Sequence, residues 1–153
     1  MDEIGLRYHV VNELKPHSLE YIMAEPKQIL VVDDDVQFVD TVKTLLENVG
    51  YKVNFAYQAK KGVDLAKQSK PDLILLDAMF AGPPGQGGIE AARELAAIPE
   101  LKNTPVIMVS GIRKAMELPF PMETDESWLP VRSFIEKPVK PEKLLSEIRN
   151  ILR

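Results

Sequence analysis

The sequence predicts an α/β fold, a doubly wound sheet of five parallel strands, and three observations carry that prediction. From residue 28 onward, short apolar runs rich in β-branched residues alternate with segments of helical period, the pattern of strand–helix units around a parallel sheet. LILLD at 73–77 is apolar until its last residue, as expected of a central strand covered on both faces. Polar residues then recur at the C-terminal ends of the runs, the edge where open α/β sheets hold their ligands.

Taken in order, ILVVD is the first strand. Val36, Val39, Val42, Leu45, Leu46 and Val49 follow at spacings of three and four, and Gly50 suits the position just past a helix end. In YKVNFAY, Tyr51, Val53, Phe55 and Tyr57 alternate with other residues, as in a strand near a sheet edge. Ala59 to Ser69 reads as a helix stopped before Pro71. After LILLD, the Ala- and Leu-rich stretch Ile89 to Ile98 reads as a third helix ending at Pro99. PVIMVS at 105–110 is a buried strand and SFIE at 133–136 a short fifth one. Pro141 fits the first turn of a closing helix whose apolar face is Leu144, Leu145, Ile148, Ile151 and Leu152.

Two stretches depart from this rhythm. Pro119, Pro121 and Pro130 limit residues 111–132 to a short helix near Arg113 to Leu118. Residues 1–27, cut by Pro16 and Pro26, lie outside the pattern as an N-terminal extension. Leu118, Phe120, Met122, Trp128 and Leu129 are expected to pack an irregular loop onto the core. Both stretches carry apolar residues beyond that core, so an added surface for self-association, such as a homodimer, is an expectation.

The 153 residues match one domain with one sizeable core. No apolar run reaches the roughly 20 residues that span a bilayer, so membrane insertion is not expected. The acidic start, MDEIGLRYHVV, does not resemble a secretion signal, and the expected location is cytoplasmic. Zero cysteines exclude disulfides, thiolate catalysis and Cys-based metal sites. A net charge of -4 offers no general attraction to nucleic acid or to anionic membranes. His9 and His17 are expected at the surface and make no metal site.

The stretch QILVVDDDVQF sets three carboxylates side by side after a buried strand, where each raises the pKa of the next. Capping of the following helix would account for Asp35 and for Asp34. Asp77 has no such local explanation, because it ends an all-apolar strand. Parallel strands bring their C-termini to one edge, so Asp33, Asp34, Asp77, Ser110 and Lys137 converge there. Clustered carboxylates suit a hard divalent cation such as Mg²⁺. A lysine and a hydroxyl beside it make a site for phosphoryl oxygens.

ILVVDDD, LILLDAM, PVIMVSG and FIEKPVKPEKL, in this order and spacing, resemble the receiver domain of two-component response regulators over about residues 28–153. The resemblance implies a flavodoxin-like fold of strand order 2-1-3-4-5 with Asp77 as phosphoacceptor. It implies Mg²⁺ bound by Asp34, Asp77 and the Met79 carbonyl, with Asp33 acting through water. Ser110 and Lys137 would contact the phosphoryl oxygens, Phe134 would stand at the switch aromatic, and the Lys137–Pro138 bond would be cis. The implied donor is a sensor histidine kinase or a phosphotransfer protein. The output partner would be another protein, reached by phosphorylation-dependent contact or phosphorelay.

Three features differ from the family pattern. Receivers usually carry proline four residues and glycine eight residues after the phosphoacceptor, whereas Ala81 stands at the former position and the loop is lengthened by three residues. Its glycines, Gly82, Gly85, Gly87 and Gly88, lack the Lys-Ser/Thr ending of a phosphate loop. The Pro-rich stretch takes the place of a receiver's fourth helix. The chain ends with its closing helix, so a stand-alone receiver is expected. Two other readings are a haloacid-dehalogenase-like phosphatase using Asp33 and Asp35, and a receiver-like scaffold that is not phosphorylated. The phosphatase motif lacks its usual Thr or Val at Gln37 and leaves Asp77 unexplained. Met79 and Ile112 would flank the path of hydrolytic water, and neither orients water well, so slow self-dephosphorylation is expected.

Overall fold

Alternating strands and helices build one five-stranded sheet in the computed structural model, which describes residues 25–83, 85–111 and 129–153. The strands are β1 (Gln28–Val32), β2 (Lys52–Ala56), β3 (Leu73–Leu76), β4 (Val106–Ser110) and β5 (Ser133–Glu136). All neighbouring strands are parallel, in the order β2-β1-β3-β4-β5. The expected fold class and strand order are both observed. The helices are α1 (Val36–Asn48), α2 (Ala59–Ser69), α3 (Gly88–Ala97) and α4 (Pro141–Ile151).

Because successive side chains of a strand point to opposite faces, the sheet builds two cores. Ile29, Val31, Leu73, Leu75, Ile107, Val109 and Ile135 pack against Val39, Val42 and Leu46 of α1 and Leu144 and Ile148 of α4. Leu30, Val32, Ile74, Leu76, Val106 and Met108 pack on the other face against α2 and α3. Leu129 and Val131 join this second core, so Leu129 packs as expected. The short helix near 113–118, the residues Leu118, Phe120, Met122 and Trp128, and His9 and His17 lie outside the described residues.

Local chemistry sets the helix ends. The side chain of Asp35 caps α1 by accepting from the Phe38 N–H, and Gly50 follows the helix at φ +99°, a conformation that favours glycine. Lys70 ends α2 in the left-handed region just before Pro71. Pro141 occupies the first turn of α4.

YKVNFAY supplies a strand near a sheet edge, as its alternation suggests, with Val53 buried while Phe55 and Tyr57 are 40% and 37% exposed. β2 is an edge strand, and beyond Val53 α1 presents Lys43, whose Nζ lies 5.6 Å from the Phe55 ring centroid. Phe55 and Tyr57 pair with each other at the rim, their centroids 5.2 Å apart.

α2 crosses β1 so closely that a Cβ at Gly62 would stand 2.6 Å from a methyl carbon of Val32. Val32 is buried and β-branched, with little freedom to move aside. Gly62→Ala is expected to destabilise by ~1 kcal/mol, overpacking outweighing the gain in helix propensity. Val32→Ala in the same background should recover part of that loss. Urea unfolding of the two single variants and the double variant measures the coupling, and strictly additive effects would contradict the contact.

Candidate functional site

The sheet's hydrogen bonds continue past its strand ends and fix the candidate residues there. Asp33 N–H donates to the Ala56 carbonyl at 3.1 Å, Asp77 N–H to the Val32 carbonyl at 2.9 Å, and Lys137 N–H to the Ser110 carbonyl at 3.1 Å. Val32 and Leu76 are register partners, so Asp33 and Asp77 leave the sheet side by side. Carboxylate oxygens of Asp33, Asp34 and Asp77 lie within 4.8 Å of one another. Asp33 and Asp77 are buried and Asp34 is exposed, which leaves the cluster open on one side.

Lys137 reaches into this cluster from β5. Its Nζ donates to Asp33 Oδ2 at 2.8 Å and lies 3.7 Å from Asp77 Oδ2. The Lys137–Pro138 peptide is cis, as expected. Ser110 is buried at the end of β4. Phe134, half-buried in β5, packs on the core face shared by α2 and α3.

The three adjacent aspartates take different tasks. Asp33 pairs with Lys137 through Oδ2 and accepts from Asp35 N–H through Oδ1 at 2.9 Å. Asp34 Oδ2 accepts from Ala81 N–H at 3.1 Å. Asp35 Oδ1 accepts from Phe38 N–H at 3.1 Å and caps α1, so capping falls to Asp35 and not to Asp34. Asp35 is exposed and stands outside the carboxylate cluster. Asp33 and Asp35 therefore do not form the paired acids of a phosphatase.

Three carboxylates against one ammonium leave a charge of about minus two if all are ionised. Asp33 shows the cost of holding a charge in this buried place. Burial pushes its pKa from 3.8 up to about 6, and Asp77 adds to the rise, while the hydrogen bonds from Lys137 and from Asp35 N–H oppose it. An all-oxygen cluster with surplus negative charge and an open side is what a divalent cation with retained waters requires, and these residues fit one.

Three participants escaped the sequence reading. The Phe38 ring lies under Lys137, with Nζ 4.2 Å from its centroid. Phe38 sits inside the DDDVQF stretch, and its position at the third helical residue, one turn from the cap, was the available signal. The Ala81 N–H that ties the β3–α3 loop to Asp34 is a donor that proline would lack. Gly88 is the third: a Cβ there would overlap the Asp77 carbonyl oxygen. It stands eleven residues after Asp77, where the three-residue lengthening moves the family's glycine. Met79 is 46% exposed and donates its N–H to Asp77 Oδ1 at 3.2 Å. Ile112 lies outside the described residues.

Comparison with known proteins agrees with this geometry. Residues 29–149 match the response regulator receiver domain family. Protein PilH of Pseudomonas aeruginosa is 34% identical over 128 residues, covering 82% of this chain and 97% of that protein. A CheY-like receiver domain protein from Methanospirillum hungatei superposes with a TM-score of 0.68 at 27% identity, covering 84% of this chain and 94% of that one. The chemotaxis response regulator CheY4 of Vibrio cholerae shares the fold, with a TM-score of 0.68 at 22% identity over 84% of this chain and 100% of that one. The chain belongs to the response regulator receiver domain family. It is therefore a signalling domain of two-component systems, which accepts a phosphoryl group on an aspartate. Histidine kinases and phosphotransfer proteins are the donors that such domains generally use. No helix among the described residues is long and apolar enough to cross a membrane.

The raised pKa of Asp33 gives a pH dependence of known sign. Between pH 3.8 and about 6 the unfolded chain loses this proton before the folded one does, so stability contributed at this position falls as pH rises. Without added divalent cation, the wild type should lose about 2–3 kcal/mol relative to Asp33→Asn between pH 4 and pH 7. Urea unfolding of both proteins at the two pH values measures it. A stability difference that does not change with pH would contradict the burial of this charge.

Proposed function

We propose that Asp77 is the aspartate that accepts the phosphoryl group, with Asp34, Asp77 and the Met79 carbonyl holding Mg²⁺ and Asp33 acting on it through water. The observation that carries this reading is a buried carboxylate at the end of the central strand, flanked by two further acids and a lysine. The donor would be a sensor histidine kinase or a phosphotransfer protein. Residues 28–153 would form the receiver, preceded by an extension of residues 1–27.

A carboxylate is a poor nucleophile toward phosphorus because both partners are anionic, so the site must cancel repulsion and hold the groups in line. Bound Mg²⁺ supplies part of that cancellation as an electrophile for phosphoryl oxygens. Lys137 supplies the rest, its ammonium 3.7 Å from Asp77 Oδ2 and just beyond hydrogen-bond range. An Asp77 oxygen forms the new P–O bond while the donor's P–N bond breaks. The electron pair leaves with the imidazole, which takes a proton from solvent. Ser110, buried at the end of β4, donates its hydroxyl to a phosphoryl oxygen. Its movement makes room for Phe134, which turns inward and carries the change to the surface that a partner protein reads.

Asp77→Asn is expected to abolish phosphorylation, Asp34→Ala to weaken mainly Mg²⁺ binding, and Lys137→Ala to weaken mainly the response to the phosphoryl group. Mass spectrometry after incubation with Mg²⁺ and a small phosphodonor locates the label. Label on any residue other than Asp77 would refute the assignment.

Self-dephosphorylation is expected to be slow, because the Met79 side chain stands exposed beside Asp77 and cannot orient an attacking water. Decay after donor removal should be faster in Met79→Asn. A fast wild-type decay that Met79→Asn leaves unchanged or slows would refute this.

A further inference from the structure

We propose that Phe38 is a positioning residue for phosphoryl transfer, its ring face holding the Lys137 ammonium between Asp33 and Asp77. The proposal rests on the reading of Asp77 as phosphoacceptor, and it adds a residue to which no role in the site has been given.

Lys137 hangs on a flexible four-carbon stem and has three N–H donors. One donor is engaged by Asp33 Oδ2 at 2.8 Å, while Asp77 Oδ2 waits at 3.7 Å. On another side lies the face of Phe38, 4.2 Å from Nζ to ring centroid. That distance is within the roughly 6 Å over which an ammonium is attracted by an aromatic quadrupole. A carboxylate or amide at residue 38 would instead compete for the donors that a phosphoryl oxygen needs. An aliphatic side chain would hold no charge and leave the amine free to swing toward solvent. The ring restrains the ammonium without supplying another charge or a strong acceptor.

The ring is itself held by the residues it serves. Asp33 Oδ2 accepts from Lys137, and Asp33 Oδ1 accepts from Asp35 N–H. Asp35 Oδ1 accepts from Phe38 N–H, and the Phe38 ring returns to Lys137. Four contacts thus close a circuit between the start of α1 and the end of β5. Phe38 also packs against the core under α1. The test must therefore separate packing from the cation contact.

Full-length wild type, Phe38→Leu and Phe38→Trp are compared with Mg²⁺ and phosphoramidate as donor. Phe38→Leu keeps apolar packing and loses the ring, and should acquire label on Asp77 about five-fold more slowly at unchanged Mg²⁺ affinity. Phe38→Trp keeps an aromatic face and should label at the wild-type rate or faster. Independently of activity, NMR of the Lys137 ε-methylene protons should show an upfield ring-current shift in wild type and in Phe38→Trp that disappears in Phe38→Leu. If Phe38→Leu does not fold, Phe38→Met supplies an apolar side chain of similar length without a ring. Wild-type labelling rates in the ringless variants, or no ring-current shift in wild type, would overturn the proposal. If wild type takes no label on Asp77, the phosphoacceptor reading fails, and the NMR shift alone then decides whether the ring holds the amine.

Discussion

Repulsion among three carboxylates gathered at one sheet edge is the constraint on which the rest of the site depends. Asp33, Asp34 and Asp77 lie within 4.8 Å of one another, two of them buried, where charge is costly. The chain offsets that cost in different ways at each position. Lys137 neutralises Asp33 directly, Asp34 faces water and accepts from a loop N–H, and Asp77 accepts from Met79 N–H. The compensation is incomplete, as the elevated Asp33 pKa shows. A fold that left this cluster uncompensated for no purpose would be hard to reconcile with marginal stability.

Holding these groups in place takes close backbone packing as well as charge. Three backbone hydrogen bonds extend the sheet beyond its strand ends and pin Asp33, Asp77 and Lys137. Gly62 lets α2 approach Val32, the residue before Asp33, and Gly88 lets α3 start against the Asp77 carbonyl. α3 thus presses against the Asp77 backbone and α2 against the side chain of the residue before Asp33, with no room for a further side chain at either glycine. This rigidity lets the like charges stay close instead of splaying into solvent. Preorganised charge is in turn what a phosphoryl-transfer site needs.

The fold was legible where local signals sufficed. Ala59 to Ser69 is a helix with those bounds because periodicity and Pro71 agree, and SFIE is a strand over its four residues. The convergence of Asp33, Asp34, Asp77 and Lys137 followed from strand polarity, since parallel strands must end at one edge. The strand order was carried by the family resemblance, because spacing alone does not order strands. The contacts of Phe38, the Ala81 N–H and Gly88 were not legible. The lysine that meets Phe38 comes from β5, the aspartate that accepts from Ala81 lies 47 residues earlier, and Gly88 matters through a backbone oxygen. The exposed Phe55 escaped for a similar reason, since strand alternation says which residues share a face but not where the covering helix stops.

The asymmetry of Lys137 ties this charge distribution to signalling. Its ammonium sits 2.8 Å from Asp33 and 3.7 Å from Asp77, so its strong bond belongs to Asp33. On the proposed reading, a phosphoryl group on Asp77 adds negative charge and acceptor oxygens on the far side of that ammonium. Coulomb attraction then favours Asp77 over Asp33. Asp33 is also the residue that holds Asp35, which caps α1. A single proton-bearing amine is thereby shared between the strand that receives the signal and the helix start beside it. A switch of this kind needs no large movement, only two partners close enough in distance that a local change of charge decides between them.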